Sequence, residues 1–234
     1  MRRIPIDSER GYHELGEWLE DAALLSDMRT LIDRQRAVAE RSDTGFVPNP
    51  RAADEVSETA LARIMDAGHD IHGISSDRHI SNVVSFNALG DGTGLVDREL
   101  IALRRAVDDR VSARLRETFE APYPLGVHCS GHFWYPPGGY MGWHTNSGAP
   151  GWRIYITHAR EPGRSFFRYR IPDSGEIVTS HDREWDVRLF RIAASAPLWH
   201  AVYSETDRYS LGYVVRRTTR LKSATGRMRR LLAR

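Results

Sequence analysis

From Val127 onward, turns divide the chain into short segments with strand-forming side chains, and this pattern limits the fold more than any other feature of the sequence. Glycine, proline and aspartate occupy the breaks between the segments. Many short strands at this spacing are typical of a barrel or of a double-sheet jelly roll. The predicted strands are Val127–Tyr135, Arg153–His158, Ser165–Arg170, Asp186–Ile192, Leu198–Tyr203 and Tyr209–Arg216.

Before Val127 the sequence predicts helices rather than strands. Apolar residues recur three and four positions apart in Glu14–Glu40 and in Asp97–Phe119, where Asp97 is placed to cap the helix. A shorter helix is predicted over Asp54–Ala67. Helices that precede the strands as a block predict an α+β fold. The expected architecture is a double-stranded β-helix, a cupin-like jelly-roll barrel, with the N-terminal helices packed on one outer face.

A chain of 234 residues can bury one sizeable core, so residues 1–234 are predicted to form a single domain. Its predicted parts are mainly helical support in 1–120, a jelly-roll core with the functional site in 121–217, and a basic C-terminal tail in 218–234. Between the helices, residues 69–87 are predicted to be a polar loop near the mouth of the barrel, and 89–94 a flexible turn.

The charge of the chain is uneven. Residues 216–234 hold eight of the 33 basic side chains and no acidic one, which leaves 25 basic against 31 acidic side chains elsewhere. We interpret the tail as solvated and do not expect nucleic acid as a partner. No apolar run approaches the length of a membrane span, and the N-terminus lacks the apolar segment of a secretory signal. The single cysteine, Cys129, excludes an intramolecular disulfide, so a cytoplasmic location is predicted.

Two histidines mark the predicted functional site. His144 ends a short strand after the turn Tyr-Pro-Pro-Gly-Gly, and His200 lies on another strand 56 residues later. Arg208 and Ser210 begin the strand that follows. A jelly roll brings residues that are far apart in sequence together at its mouth, and imidazole pairs suit a divalent transition metal. A lone histidine in a barrel is ordinarily a hydrogen-bonded core residue, so the assignment depends on the whole set.

Over roughly the C-terminal half of the chain, these residues resemble the iron(II)- and 2-oxoglutarate-dependent oxygenase superfamily. The resemblance implies an enzyme in which His144 and His200 hold ferrous iron within the jelly-roll core. It also implies that Arg208 and Ser210 bind the distal carboxylate of 2-oxoglutarate, with a further hydrogen bond from Tyr135. With dioxygen as second substrate, such an enzyme functionalises an unactivated C–H bond of a small molecule.

The carboxylate that completes the ligand set in this family, two residues after the first histidine, is absent, because position 146 is Asn. In the halogenating branch of the family, loss of this acid lets chloride bind the iron. The sequence therefore predicts halogenation, with room for the halide at Gly148 and a hydrogen-bond donor at Asn146. A hydroxylase is the alternative, with the Asn146 oxygen as a weak ligand or a distant acid, Glu161 or Asp173, completing the site. A second alternative is a metal-free jelly-roll binding module.

Substrate recognition is assigned to aromatic and basic side chains near the histidines. Trp143, Trp152, Arg153 and Arg168 are predicted to line a pocket for an aromatic, anionic small molecule, and a nucleotide would fit that description. The ordinary alternative for Ser165–Arg170 is a strand with its arginines on the solvent face.

Three further metal-binding side chains, His128, Cys129 and His132, lie close together in the sequence. On a regular strand, residues 128 and 132 face opposite to 129, so the three cannot converge on one ion. They are predicted to belong to the core and the pocket wall.

Overall fold

The computed structural model describes residues 3–8, 10–67, 80–86, 97–146, 148–193 and 195–218. Of the predicted polar loop at 69–87, residues 69–79 and 87 lie outside these residues, as do the glycine turn at 89–94 and the basic tail from 219 onward. The described part of that loop was predicted wrongly, because it contains two short strands, Ser81–Asn82 and Val84–Ser85, that pair at the edges of the sheets. The α-helices of the described part are α1 (Ala22–Ala39), α2 (Glu58–Ala67) and α3 (Arg98–Thr118), with short 3-10 helices at Gly16–Glu20 and Asp54–Val56. None of these helices is long and apolar enough to cross a membrane.

The strands alternate between two antiparallel sheets. One sheet has the order β2-β11-β8-β13-β6-β4, the other β10-β9-β12-β7-β3, and a separate parallel pair joins β1 to β5. The strands are β1 (Ile4–Pro5), β2 (Tyr12–Glu14), β3 (Ser81–Asn82), β4 (Val84–Ser85), β5 (Phe119–Glu120), β6 (Leu125–Tyr135), β7 (Tyr140–His144), β8 (Gly151–Ala159), β9 (Ser165–Arg170), β10 (Ile177–His181), β11 (Trp185–Ile192), β12 (His200–Ser204) and β13 (Arg208–Arg217).

The order of β6 to β13 defines the fold. β6, β8, β11 and β13 belong to one sheet, and β7, β9, β10 and β12 face them from the other. The chain therefore crosses between the two sheets as it winds along the barrel, which is the topology of a double-stranded β-helix. The predicted α+β jelly-roll class is confirmed. The edge strands β2, β3 and β4 come from the N-terminal half, so that half also extends both sheets.

The first helix starts later than the sequence predicted. A helix was expected over Glu14–Glu40, but Tyr12–Glu14 pairs with β11, and α1 begins only at Ala22. Asp21 has an extended backbone, and its carboxylate accepts hydrogen bonds from the backbone N–H groups of Ala23 and Leu24. Side-chain capping of this kind fixes the start of a helix, and it overrides the apolar periodicity that continues upstream.

The predicted helix around Asp97–Phe119 is confirmed as α3, with the Asp97 carboxylate accepting from Leu100 N at 2.8 Å. Arg104 of this helix lies toward the six-stranded sheet, where it donates to the Phe86 carbonyl at 2.7 Å and to Cys129 Sγ at 3.2 Å. Its long apolar stem lets the charged head reach these acceptors from the helix.

The main core lies between α1, α3 and the outer face of the six-stranded sheet. Fully buried side chains from all three contribute to it, at about 2 kcal/mol for each large aliphatic side chain; they include Leu24, Met28, Val111, Leu115, Ile156 and Leu211. The helix α2 packs differently. Its Leu61 belongs to a second buried cluster, with Trp143 and Trp199, on the outer side of the five-stranded sheet. The helices therefore cover both outer faces, and the space between the sheets is left for the functional site.

Candidate metal and ligand site

The two predicted histidines meet between the sheets. His144 at the end of β7 and His200 at the start of β12 are paired in the antiparallel register, and their ring centroids are 4.1 Å apart. The two residues are 5% and 1% exposed. The preceding turn brings β7 into place, with Gly138 at a φ of 83° that favours glycine. The structure thus brings together two side chains that are 56 residues apart in the sequence.

Both imidazoles are oriented by the backbone. The Nδ1 atom of His144 lies 2.9 Å from the Gly142 carbonyl oxygen, and that of His200 lies 2.9 Å from the Leu198 carbonyl oxygen. Each Nδ1 therefore carries the proton and donates it, so that the lone pair of each ring is on Nε2. Burial, and then the neighbouring His144, lowers the pKa of His200 well below its usual value. A neutral imidazole binds a transition metal through its unprotonated nitrogen.

Asn146 lies next to this pair, at the position where the resemblance noted in the sequence implies a carboxylate. Its φ of 54° is in the left-handed region, which asparagine tolerates better than most residues. Its Nδ2 atom lies 3.4 Å from His200 Nε2. A carboxamide can turn either its oxygen or its N–H group toward the same point. Gly148 lies in the exposed turn that follows and does not line the cavity.

A third protein ligand is missing from the described residues, among which no group of three His, Cys, Asp or Glu side chains could hold a metal ion. The two distant acids considered from the sequence are placed elsewhere. Glu161 accepts a hydrogen bond from the Thr206 hydroxyl at 3.3 Å, and Asp173 lines a separate pocket beside Tyr12. Neither of these two acids completes the ligand set.

A cavity of about 440 Å³ opens beside the histidines and Asn146. The six-stranded sheet supplies its opposite wall through β6, β8 and β13. The polar side chains of this wall include Tyr135, Ser210, Arg153 and Arg216. A cavity of this volume is in the range of small-molecule sites.

Arg208 lies deeper than the cavity wall. Its guanidinium carbon is 4.9 Å from the centroid of the Tyr135 ring, and its Nε donates to Asp182 at 2.8 Å. The Nη1 atom of Arg208 is buried and has no hydrogen-bond partner among the described residues. Ser210 and Tyr135 line the cavity directly. A buried donor without an acceptor fits a carboxylate that would enter past Tyr135.

Asp182 holds this arginine within an inner charge cluster, formed by Asp182, Asp186, Arg188 and Arg208. Besides Arg208, Asp182 accepts from Arg188 Nη1 at 2.8 Å and from Ser165 Oγ at 2.6 Å. Burial alone would raise the pKa of Asp182, but the charges of Arg208 and Arg188 outweigh it and lower the pKa to about 2. Sequence reasoning missed Asp182, because an acid in a polar turn reads as a solvated residue.

Three residues predicted to line the substrate pocket lie outside it. Trp143 Nε1 donates to the Ser57 carbonyl at 2.8 Å under the 3-10 helix, and Trp152 Nε1 donates to the Ile6 carbonyl at 2.7 Å on the helical side. Arg168 lies on the outer face of β9, where it donates to Thr179 Oγ1 and to the Val56 carbonyl. Alternate residues of a strand face opposite sides, so Trp143 and Trp152 point away from a cavity that their neighbours His144 and Arg153 line.

A β-bulge in β6 changes the side of the sheet toward which His128, Cys129 and His132 point. The pairing with β13 shifts between Gly212 and Tyr213, so Gly131 pairs with Gly212 and Cys129 with Tyr213. As a result His128 lines the cavity, while His132 packs edge-on against Tyr213 on the helical side. The prediction that 128 and 132 share a face was wrong because an extra residue in the strand reverses the alternation. The conclusion that the three do not converge is unaffected.

No family model matches the chain, and no curated protein matches it. Similar solved structures include an oxidoreductase of the 2OG-Fe(II) oxygenase family from Burkholderia pseudomallei, 15% identical, with a TM-score of 0.44 over 70% of this chain and 82% of that one. A prolyl-4-hydroxylase from Pseudomonas putida is 15% identical, with a TM-score of 0.40 over 76% and 92% of the two chains. A prolyl hydroxylase from Trichoplax adhaerens, in complex with a hypoxia inducible factor peptide fragment, is 17% identical, with a TM-score of 0.40 over 80% and 91%.

These likenesses are too distant to assign the chemistry, which is inferred below from the chain's own side chains. The topology and the paired histidines define a double-stranded β-helix protein with a candidate two-histidine metal site.

Proposed function

We propose that this protein is an iron(II)- and 2-oxoglutarate-dependent enzyme that functionalises an unactivated C–H bond of a small molecule. The observation that carries the proposal is the pairing of His144 and His200, two buried rings in contact whose Nδ1 atoms are each held by a carbonyl, so that Nε2 is the nitrogen of each ring able to coordinate a metal. A metal-free binding module would have no need of two buried imidazoles in contact. Two imidazoles with open positions beside them suit ferrous iron.

The residues beneath the histidines fit the co-substrate. Arg208 would hold the distal carboxylate of 2-oxoglutarate through its unsatisfied Nη1, with Ser210 and Tyr135 as further hydrogen-bond donors. Asp182 holds the guanidinium in place from the opposite side. When bound, iron and 2-oxoglutarate supply the oxidising power for attack on the C–H bond with dioxygen.

Aromatic side chains close the inner side of the histidine pair. Phe167 and Phe190 lie 5.6 Å and 5.7 Å from the His200 ring, and both are fully buried. They exclude water from the face of the imidazole that does not meet the cavity. A dry site of this kind strengthens electrostatic contacts and protects a reactive centre from side reactions.

Within this class we place halogenation ahead of hydroxylation. The support is the lack of a third ligand among the described residues and a neutral carboxamide at the position of the usual acid. Chloride would then supply the negative charge that the acid lacks, and an Asn146 N–H group would donate to it. Hydroxylation is the second candidate, favoured by the nearness of the Asn146 side chain to His200 Nε2, where its oxygen can act as a neutral ligand.

The test of this proposal is anaerobic titration of 2-oxoglutarate into the iron-loaded protein, followed by visible absorption. The proposal expects a metal-to-ligand charge-transfer band that needs both iron and 2-oxoglutarate. Chloride should shift this band or tighten 2-oxoglutarate binding if halogenation is the reaction. A band indifferent to chloride would leave hydroxylation, and no band under any condition would contradict the class itself.

A further inference from the structure

The mouth of the cavity carries a positive charge that the iron site does not explain. Arg153 on β8 is 4% exposed, and it lines the cavity beside the histidines. Among the described residues, its guanidinium donates to two backbone carbonyls, Trp152 O at 3.3 Å and Ala149 O. Within the described part of the chain, no carboxylate forms an ion pair with it. Burial lowers the pKa of Arg153, and the positive charge of Arg216 acts in the same direction.

The strand register places further polar groups around Arg153. Val214 of β13 pairs with Arg153 on one side and with His128 of β6 on the other, so these three residues form a row across the wall. Arg216 follows two positions further along β13 and therefore faces the same side. His128 and Arg216 both line the cavity. The described residues of the cavity lining include two arginines and no acidic side chain.

Below this row the wall is formed by the backbone of two strands and by one aromatic side chain. Gly131 and Gly212 pair with each other, Tyr155 pairs with Gly212 on its other side, and all three line the cavity. A Cβ on Gly212 would lie 3.0 Å from the Gly131 carbonyl oxygen and 3.1 Å from Ser130 Oγ, so the wall leaves little room for a larger residue here. Along β13, Ser210 and Val214 are four residues apart, or about 13 Å. The co-substrate end and the arginine end are thus separated along the wall, and a cavity of about 440 Å³ has space for a second small molecule between them.

We propose that Arg153 and Arg216 form a binding site for an anionic oxyacid group of the substrate, a carboxylate or a phosphate. This inference rests on the proposed function, because it takes Arg208 and Ser210 as the co-substrate site and the space between them and Arg153 as the place of the substrate. An internal carboxylate balances the charge of each arginine in the inner charge cluster, whereas the guanidinium of Arg153 is desolvated and has no carboxylate partner among the described residues. A buried guanidinium in this state is set to receive an external anion, which restores the charge balance.

Calorimetric titration of the full chain distinguishes binding of a phosphate, of a carboxylate and of the co-substrate. Inorganic phosphate, acetate and 2-oxoglutarate are the probes, each added to the metal-free and to the anaerobic iron-loaded protein. The variants are Arg153→Gln, Arg153→Lys and Arg216→Gln. Arg217→Gln is the matched control, since Arg217 is the next residue on β13 and stacks over Tyr123 outside the cavity. Melting temperatures show whether each variant is folded.

The proposal expects phosphate or acetate to bind the wild type, and about tenfold or weaker binding in Arg153→Gln. Arg153→Lys should recover part of the affinity, Arg216→Gln should lose less than Arg153→Gln, and Arg217→Gln should match the wild type. Whichever probe is preferred names the anion. If Arg153→Gln is unstable, Arg153→Lys and Arg216→Gln carry the test.

Equal probe affinities in the Arg153, Arg216 and Arg217 variants would overturn the inference. A selective loss of 2-oxoglutarate binding in Arg153→Gln would also overturn it, because the arginines would then belong to the co-substrate. Failure of the iron proposal is separate. It would appear as absent iron binding in the wild type, whereas Arg153-dependent binding of phosphate or acetate to the metal-free protein would still stand.

Discussion

Buried charges are paired at the inner end of the barrel interior, whereas at its mouth a buried cation has no carboxylate partner among the described residues. In the inner charge cluster, Asp182 and Asp186 are paired with Arg188 and Arg208 at 2.8 to 3.2 Å, so the formal charges balance. At the mouth, Arg153 donates to backbone carbonyls and has no carboxylate partner among the described residues. Internal ion pairs stabilise the fold, whereas a buried cation without such a pair can hold an external ligand. Variants in the inner charge cluster should therefore lower the stability of the fold, whereas variants at the mouth should weaken ligand binding.

The largest effect on stability is expected at Asp182. Asp182→Asn leaves Arg188 and Arg208 buried without their shared carboxylate, and removing one partner of a buried ion pair costs about 3 to 5 kcal/mol. Urea unfolding of the variant measures this loss. His144→Ala, at the mouth, should cost clearly less, and equal losses from the two variants would remove the distinction between the ends.

Acid should unfold the protein partly through the same carboxyl group. The pKa of Asp182 falls from its ordinary 3.8 to about 2 in the folded protein, so its stabilising contribution is complete above pH 4. The contribution is lost as the pH drops through 2, and it amounts to about 2 kcal/mol. Melting temperatures between pH 5 and 2 should therefore fall less steeply in Asp182→Asn than in the wild type. Parallel curves for the two proteins would show that Asp182 titrates alike in the folded and unfolded states.

Arg208 belongs to the inner charge cluster and is also the proposed ligand of 2-oxoglutarate. Arg208→Lys tests these two roles separately. Lysine keeps a cation beside Asp182 but lacks the planar group that donates from both sides. We expect 2-oxoglutarate to bind the iron-loaded variant about tenfold or more weakly, while iron affinity stays as in the wild type. Arg191→Lys, on the exposed part of β11, is the matched control. Unchanged 2-oxoglutarate affinity in Arg208→Lys would place the co-substrate elsewhere.

The smallest effect is expected from restoring the missing acid. Asn146→Asp supplies a third ligand beside His200, so iron affinity should rise by about tenfold, in line with the usual effect of groups that support a metal site. Any effect of chloride on the charge-transfer band should disappear, because the carboxylate competes with the halide for space and charge. Asn49→Asp, in a remote loop, controls for the added charge. A chloride effect that persists in Asn146→Asp would argue against a halide at this position.

The histidines at the mouth can be predicted from the sequence, whereas the inner charge cluster cannot, and the reasons are physical. His144 and His200 stand out because two Trp-His pairs follow recognisable turns, and the strand pattern around them is regular. Asp182 belongs to a turn after β10, a strand that the sequence pattern did not predict, and its partners come from three other strands. Such a cluster forms only when the strands have paired into sheets, so no local sequence pattern predicts it.

Local features of the strands explain the remaining differences between the sequence-based predictions and the structure. The bulge opposite Gly212 moves His128 and His132 to opposite faces, and a single extra residue of this kind leaves no hydrophobic signature. Trp143 and Trp152 could have been placed outside the cavity from the sequence, since strand alternation puts them opposite His144 and Arg153. The first residue of the first predicted helix, Glu14, belongs to β2, and no local pattern marks this strand because its partner, β11, lies more than 170 residues away.

The central claim, that the mouth holds ferrous iron through two histidines, is tested most directly by anaerobic equilibrium dialysis of ferrous iron. The proteins to compare are the wild type, His144→Ala, His200→Ala and the control His181→Ala, whose histidine is exposed at the end of β10. The account predicts about one iron per wild-type and His181→Ala chain, and a loss of affinity of at least about a hundredfold in the other two variants. Wild-type iron binding in both His144→Ala and His200→Ala would contradict it.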